Sequence, residues 1–273
     1  MSARAEPGAP SLVDTHCHLF LMEGDPAQVV ADARAEGVTQ LVCAAIDPET
    51  SRRSIELARA HPEVFATAGL HPHDASRFDA EVRRDLEALA ADPDVVAIGE
   101  TGLDWFRMHS PREDQLASLA WHVGLSNRTG KPLVVHVREA WEDVLRLLAD
   151  EGAERVVIHC FSGDAAIARE CAERGYWLSF AANVTYPRNP ELREAAAAAP
   201  AERLVVETDS PFLPPEGMRG KVNVPGHVWA AARTLAAERG EDLAGLAGVL
   251  AANARRAFGL PEPEEMPRMP GSS

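Results

Sequence analysis

The sequence has little cysteine, no long apolar run and no excess of basic residues. Its four cysteines (Cys17, Cys43, Cys160 and Cys171) form no CxxC pair and no spacing typical of a disulfide framework, which favours reduced thiols in the cytosol. No segment approaches the ~20 apolar residues that a membrane helix needs, and residues 1–11 lack the apolar core of a signal peptide. We therefore expect a soluble cytoplasmic protein without a membrane partner.

Basic residues are outnumbered in this chain. The 27 Lys and Arg stand against 42 Asp and Glu, which gives a net charge of −15 over 273 residues. A protein that binds nucleic acid across its surface is usually basic, because Lys and Arg neutralise the phosphates. The composition excludes that class of protein. A polyanionic substrate would have to be attracted locally, by bound metal ions and a few arginines.

Short β-branched or apolar runs alternate with helical stretches, which predicts parallel strands joined by helices. The predicted strands are Leu12–His18, Thr39–Ala44, Val64–Gly69, Val95–Glu100, Pro132–His136, Arg155–His159, Tyr176–Phe180 and Arg203–Thr208. Eight repeats in about 250 residues are typical of a TIM (βα)8 barrel, so we predict a single α/β domain over residues 12–260. Residues 1–11 and 261–273 are rich in Pro, Gly and Ser, and we expect disordered tails there.

An open, doubly wound parallel sheet is the alternative fold. Such sheets usually carry a GxGxxG or a GxxxxGKS/T phosphate-binding motif, and the sequence has neither. The closed barrel is therefore favoured.

Residues that can bind metals lie at the carboxyl ends of five predicted strands. Four histidines and two carboxylates share this position: His16, His18, Glu100, His136, His159 and Asp209. In a parallel barrel these ends form one mouth, where active sites are found. Because strand side chains alternate, the His-Cys-His sequence of strand one directs both imidazoles to the same side.

A lone histidine at a strand end is more often a hydrogen-bonded core residue than a ligand, but six ligand types at one mouth predict a metal site. Imidazole and carboxylate suit Zn²⁺, Mn²⁺ or Mg²⁺, and six ligands suit two divalent ions better than one. We expect Glu100 to bridge the two ions, with His16, His18 and Asp209 on one ion and His136 and His159 on the other.

Five segments of the sequence carry the polar motifs together. They are Asp14-Thr15-His16-Cys17-His18-Leu19, Gly69-Leu70-His71-Pro72-His73, Ile98-Gly99-Glu100-Thr101-Gly102-Leu103-Asp104, His159-Cys160-Phe161-Ser162-Gly163 and Glu207-Thr208-Asp209-Ser210-Pro211-Phe212. These segments resemble the TatD-related deoxyribonucleases, a family of amidohydrolase-type metal-dependent hydrolases, from about Val13 to Leu260. The resemblance implies a TIM barrel, divalent metals held by the same six ligands and hydrolysis of phosphodiester bonds in DNA.

Three acidic residues are predicted to take part in catalysis. Asp209 would accept a proton from the attacking water, and Glu100 would hold both metals. Glu207 lies two residues before Asp209 on the same strand face, where it either orients a ligand or forms a salt bridge. Asp14 is predicted either to fix a histidine tautomer or to bond to the backbone.

Residues near the mouth are candidates for binding the substrate. We predict substrate contacts for His71, His73, Arg107 and Arg219, with Arg138 and Lys221 as further cations. Trp105 and Phe106 could stack a base or pack in the core. The remaining histidines do not lie at strand ends, and we interpret them as structural: His61, His109, His122 and His227.

Two functions are compatible with these residues. One is a metal-dependent deoxyribonuclease, expected to be an exonuclease because a barrel mouth admits a strand end more readily than a continuous duplex. The other is an amidohydrolase that acts on a small amide, ester or lactone, which the acidic composition favours. Nothing in the sequence predicts an obligate protein partner.

Overall fold

The computed structural model describes residues 10–263 and contains one barrel of eight parallel strands. The strands, β1 to β8 in chain order, are Leu12–Cys17, Val38–Cys43, Val64–Ala68, Val95–Asp104, Leu133–Arg138, Val156–Ile158, Trp177–Phe180 and Leu204–Val206. Each strand pairs in parallel with the next one along the chain. The predicted TIM barrel is confirmed. The predicted tails lie almost wholly outside the described residues.

The segment after β8 closes the barrel against β1. The Asp209 N–H donates to the His16 carbonyl at 2.9 Å, and the His18 N–H donates to the Ser210 carbonyl at 2.7 Å. These bonds extend the sheet hydrogen bonding across the gap between the first and last strands. As a result, Asp209 lies directly beside the two histidines of β1.

The α-helices of the described residues alternate with the strands. Helices α1 to α9 are Pro26–Ala35, Pro48–Ala60, Ala80–Ala90, Arg112–Thr129, Trp141–Asp150, Ala165–Glu173, Pro190–Ala198, Val228–Arg239 and Leu243–Phe258. Aspartates cap several of them; Asp25, Asp47 and Asp79 accept N–H groups of the first turn, which would otherwise lack partners. Within residues 10–263, none of the helices has the length and apolarity that a bilayer crossing demands.

A layer of apolar side chains crosses the barrel interior, and we call it the barrel floor. Each strand contributes at least one residue to this layer: Val13, Val42, Phe65, Ala97, Val134, Val157, Trp177 and Val205. Ala254, Ala257 and Phe258 of α9 pack against the barrel floor. Towards the carboxyl ends of the strands, apolar residues give way to the polar side chains of the mouth.

Two strand ends differ from the prediction in ways that matter for the mouth. β4 continues past Glu100 to Asp104, and β6 ends at Ile158, so that His159 lies just after the strand. The segment between β8 and α8 is irregular apart from a short 3-10 helix at Pro225–His227 and an isolated bridge at Ser210.

Candidate metal centre

The Glu100 carboxylate lies at the centre of the predicted ligands. Its Oε2 atom is 3.3 Å from His16 Nε2 and 4.0 Å from His18 Nε2. Asp209 Oδ1 lies beside the same two imidazoles, 3.3 Å from His18 Nε2 and 3.9 Å from His16 Nε2. We call His16, His18 and Asp209 the Oε2 group.

The other oxygen of Glu100 faces a second set of histidines. Oε1 is 3.0 Å from His136 Nδ1 and 3.4 Å from His159 Nε2, and we call these two residues the Oε1 group. His71 Nε2 also lies 3.4 Å from Oε1. The structure therefore brings all six predicted ligands together, in the two groups expected from the strand ends.

A β-bulge in β4 turns Glu100 into the barrel. Between Ile98 and Thr101 two residues of β4 lie opposite one residue of β5. Because Ala97 belongs to the barrel floor, strict alternation would direct position 99 inward. The extra residue directs Glu100 inward instead, and bulges next to active sites often change the direction of a side chain in this way.

Glycines on both sides of Glu100 permit this backbone path. Gly99 and Gly102 have φ angles of +129° and +146°, which residues with a Cβ rarely adopt. A Cβ at Gly99 would overlap the Val134 carbonyl oxygen, and one at Gly102 would overlap that of His136. The close approach of β4 to β5 therefore requires glycine at both of these positions.

Asp14 does not contact the imidazole of any histidine among the described residues. A bulge between Asp14 and Cys17 interrupts the alternation of β1, so Asp14 and His16 do not simply share one face. Asp14 accepts hydrogen bonds from the Thr208 N–H at 2.9 Å and the Thr208 hydroxyl at 2.6 Å, and burial raises its pKa to about 8. Asp14 therefore joins β1 to the segment that follows β8, in line with the predicted alternative of a bond to the backbone.

Neighbouring groups orient two of the candidate ligands. His18 Nδ1 lies 2.7 Å from the Ala44 carbonyl, so this nitrogen carries the proton and leaves the Nε2 lone pair for a metal. His159 Nδ1 lies 2.7 Å from Glu207 Oε1, which also accepts the Cys160 N–H at 3.0 Å. Glu207 is buried behind His159, so the structure favours orientation of a ligand over a salt bridge to Lys or Arg.

Asp104 is a further residue of the site, and the prediction that β4 ends at Glu100 missed it. Its Oδ2 atom lies 2.8 Å from His73 Nε2 and 3.5 Å from His136 Nε2. Its Oδ1 atom accepts the N–H groups of Phe106 at 2.9 Å and Arg107 at 2.7 Å. Alternation continued beyond Glu100 would have identified this carboxylate.

The tautomer of His71 follows from its contacts. His71 Nδ1 accepts the His73 N–H at 3.2 Å, so in the neutral ring the proton is on Nε2, which points towards Glu100. Burial lowers the pKa of His71 and keeps the ring neutral. His71 is therefore arranged to donate a hydrogen bond, and this agrees better with the predicted substrate contact than with a metal ligand.

The charges around Glu100 are strongly coupled. Burial raises the pKa of Glu100, but the neighbouring histidines, first of all His159, outweigh burial and hold this pKa well below its usual range. Burial also opposes protonation of His159, yet the charges of Glu207 and Glu100 raise its pKa to about 10. The carboxylates thus remain ionised and attract positive charge, which a divalent cation can supply in place of a proton.

The residues fit a divalent metal. Both ring nitrogens of His16 are buried without a hydrogen-bond partner among the described residues, and an unpaired buried polar atom is costly. Three overlapping sets have ligand atoms within 4.8 Å of one another: His16, His18 and Glu100; His16, His159 and Glu207; His71, Glu100 and His136. Neutral imidazoles and carboxylates are the ligands that Zn²⁺ and Mn²⁺ prefer.

Comparison with known proteins identifies the family. The family model described as TatD related DNase matches residues 13–259. The chain belongs to this family. A metal-dependent hydrolase named TatD from Mycobacterium tuberculosis is 41% identical over 259 residues, which cover 91% of this chain and 98% of the relative. The resemblance to the TatD family found in the sequence is confirmed, and the chain is a metal-dependent hydrolase.

Two further TatD proteins are similar along most of their length. A protein from Escherichia fergusonii named 3'-5' ssDNA/RNA exonuclease TatD is 35% identical over 243 residues, covering 86% of this chain and 94% of the relative. The crystal structure of YJJV, a TatD homologue from Escherichia coli K12, superposes with a TM-score of 0.88 at 29% identity and covers 92% of this chain and 98% of its own.

The mouth of this TatD-family barrel opens into a cavity of about 640 Å³, within the ~300–1,000 Å³ typical of ligand sites. His71, His73 and Arg107, for which substrate contacts were predicted, line it. Arg219 is not among the lining residues, because its guanidinium lies 3.4 Å from Glu216, three positions earlier in the chain. The structure therefore gives no support to the predicted substrate contact of Arg219.

His109, which was interpreted as structural, and Arg138, a further candidate cation, also line the cavity. The His109 ring stacks on His73 at 4.5 Å, so its interpretation as a purely structural residue is not supported. Arg138 lines the cavity at the end of β5, with its guanidinium 4.1 Å over the Phe106 ring. The turn after β4 thus returns to the mouth, which strand-end positions alone do not reveal.

Proposed function

We propose that this chain is a two-metal deoxyribonuclease that removes nucleotides from an end of single-stranded DNA. The observation that carries the proposal is the position of Glu100, with Oε2 facing one group of ligands and Oε1 facing the other. The Oε2 group would hold one divalent ion and the Oε1 group a second, with Glu100 between them. Mg²⁺, Mn²⁺ and Zn²⁺ are all compatible with these ligands.

Ions bound there would lower the pKa of water and stabilise charge on the attacking and leaving oxygens. Asp209 is the carboxylate best suited to accept the proton, because its side chain is 15% exposed and lines the cavity, whereas that of Glu100 is 3% exposed. Asp209 has a left-handed φ of +56°, a conformation that often marks functional sites. Glu207 contacts His159 and would orient that imidazole, without contacting the substrate.

Cationic and hydrogen-bonding groups around the cavity suit a phosphodiester. His71 is arranged to donate a hydrogen bond, and Arg107 and Arg138 add charge that a phosphate can pair with. The Escherichia fergusonii relative carries the name of a 3'-5' exonuclease that acts on single-stranded DNA and RNA. We therefore propose the same direction for this chain and include RNA in the test. The cytoplasmic location remains a prediction.

Hydrolysis of a small amide, ester or lactone is the second candidate, and the net charge of −15 favours it. The test is an assay with protein that has been stripped of metal and then supplied with Mg²⁺, Mn²⁺ or Zn²⁺. Single-stranded DNA and RNA oligonucleotides, labelled at either end, are compared with a panel of amides, esters and lactones.

We expect mononucleotides to be released from the 3′ end, and this activity to be lost in Glu100→Ala and in Asp209→Ala. Arg83→Ala, a substitution on the surface of α3, is the control and should keep the activity. Turnover of the small-molecule panel with inert oligonucleotides would overturn the nuclease and support the second candidate.

A further inference from the structure

We propose that Phe106, Arg107 and Arg138 form an outer nucleotide subsite, which binds the base and phosphate next to the nucleotide held at the metal centre. The proposal rests on the proposed nuclease function and adds to it that the substrate is a chain of several nucleotides. Three observations carry it: an exposed aromatic ring, two arginines without carboxylate partners and a rigid backbone that holds them.

Phe106 is an aromatic residue exposed to solvent. Its exposed fraction is 51%, although large apolar side chains are usually buried. The Arg138 guanidinium lies 4.1 Å and that of Arg107 5.6 Å from the centre of its ring. An exposed aromatic ring beside arginines is the combination with which proteins bind single strands without reading their sequence.

The charges at this place complement a phosphate. Among the ion pairs of residues 10–263, neither Arg107 nor Arg138 has a carboxylate partner, whereas surface arginines such as Arg52 and Arg59 pair with aspartates. In a chain with 42 acidic residues, two unpaired arginines on the lining of one cavity form a local positive patch. A phosphodiester would supply the missing anion.

The backbone of the patch is fixed before any substrate binds. Asp104 Oδ1 accepts the N–H groups of Phe106 and Arg107, and the Trp105 N–H donates to the Arg138 carbonyl at 2.9 Å. Binding therefore requires little ordering of the loop, which favours affinity. Trp105 itself donates its indole N–H to Asp143 at 2.9 Å, so of the two aromatic residues in this turn Phe106 is the one left for a base.

The position of Arg138 on β5 suits contact with an adjacent nucleotide. Arg138 follows the candidate ligand His136 by two residues on β5, which is a rise of about 7 Å towards the solvent. Arg138 is exposed at the rim of the cavity. It is therefore placed to meet the part of the nucleic-acid strand that continues out of the cavity.

The experiment compares two substrates of different length. We would measure kcat/KM for a single-stranded oligonucleotide and for the p-nitrophenyl phosphodiester of one nucleoside, which cannot extend to the outer subsite. The variants are Phe106→Ala and Arg138→Ala, with Phe106→Trp as the conservative replacement. Arg83→Ala is the matched control, since its guanidinium lies 4.4 Å over the Phe78 ring outside the cavity.

The quantity compared is kcat/KM for the oligonucleotide divided by kcat/KM for the p-nitrophenyl substrate. We expect this ratio to fall about tenfold in Phe106→Ala and to be restored in Phe106→Trp. In Arg138→Ala, the slope of log(kcat/KM) for the oligonucleotide against log salt should become shallower by about 0.7, as expected for the loss of one phosphate contact. Arg83→Ala should change neither quantity.

If the ratio is unchanged in Phe106→Ala, because neither kcat/KM value falls or because both fall equally, the outer subsite is overturned while the nuclease function stands. Wild-type protein that hydrolyses neither substrate would refute the nuclease function itself. Because Phe106 and Arg138 are exposed, both alanine variants should fold, and their thermal unfolding would be compared with that of the wild type.

Discussion

Replacement of Asp104 by Asn tests how far the metal centre depends on a residue outside the predicted ligands. The carboxylate is fully buried and contacts His73 and His136 through Oδ2, while Oδ1 holds two N–H groups of the following loop. An Asn side chain can keep the Oδ1 bonds, because its carbonyl still accepts. It loses the negative charge next to the two imidazoles.

The expected size of the effect follows from these contacts. Partners that orient a metal-binding histidine contribute about 10–100-fold to metal affinity or activity, so the metal concentration for half-maximal activity should rise by that factor in Asp104→Asn. Asp104→Ala also removes two backbone bonds at about 1 kcal/mol each. It should therefore lower the unfolding free energy by about 2–4 kcal/mol, whereas Asn should lower it by less.

The assay titrates metal into stripped protein and follows hydrolysis of an oligonucleotide. Asp143→Asn is the matched control, because that carboxylate bonds to Trp105 in the same region but has no histidine contact. It should leave the metal requirement unchanged. A wild-type metal requirement in Asp104→Asn would refute the argument that Asp104 orients His136.

The remaining predictions concern the backbone and a buried histidine. Gly102→Ala should lower the unfolding free energy, measured in urea, by about 2–4 kcal/mol, because its Cβ would overlap the His136 carbonyl. Gly130 also has a left-handed φ but open space around it, so Gly130→Ala should lower the unfolding free energy by only about 1 kcal/mol. Equal losses in the two variants would contradict the steric argument. Burial lowers the pKa of His122 to about 4 from 6.5, so the unfolded chain takes up this proton first, and stability present above pH 6.5 is lost as the pH falls to 4. This loss is about 3 kcal/mol. The plot of unfolding free energy against pH should therefore be flatter for His122→Asn than for the wild type between pH 6.5 and 4. Parallel plots would contradict a neutral buried His122.

Most of the fold could be predicted from the sequence, because strands and helices alternate with clear hydrophobic periods. All eight strands lie where apolar runs predict them. The end of β4 was missed because residues Thr101 to Asp104 contain a glycine and polar residues that do not form an apolar run, so only alternation continued beyond Glu100 would have found it. The missed part of β4 carries Asp104.

The candidate ligands could be predicted as a set because parallel strands bring their carboxyl ends to one mouth. Their detailed geometry could not, because a strict period of two does not detect bulges. The bulge in β4 makes Glu100 point inward, and the bulge in β1 separates Asp14 from the histidines. Only the pairing with the neighbouring strand reveals the extra residue.

The residues of the outer mouth were predicted least well. Arg219 was expected to contact substrate but pairs with Glu216, while His109 was expected to be structural but stacks on His73 in the cavity. Loop side chains are directed by local partners and have no periodicity that a sequence pattern could reveal.

Metal stoichiometry, measured by elemental analysis of protein equilibrated with Mn²⁺ or Zn²⁺, tests the central claim most directly. One group of ligands lies at each carboxylate oxygen of Glu100, so we expect two ions per chain in the wild type. Glu100→Ala should bind fewer, and the control Arg83→Ala should still bind two. Wild-type protein that binds no ion at saturating metal, or Glu100→Ala that still binds two, would contradict the account.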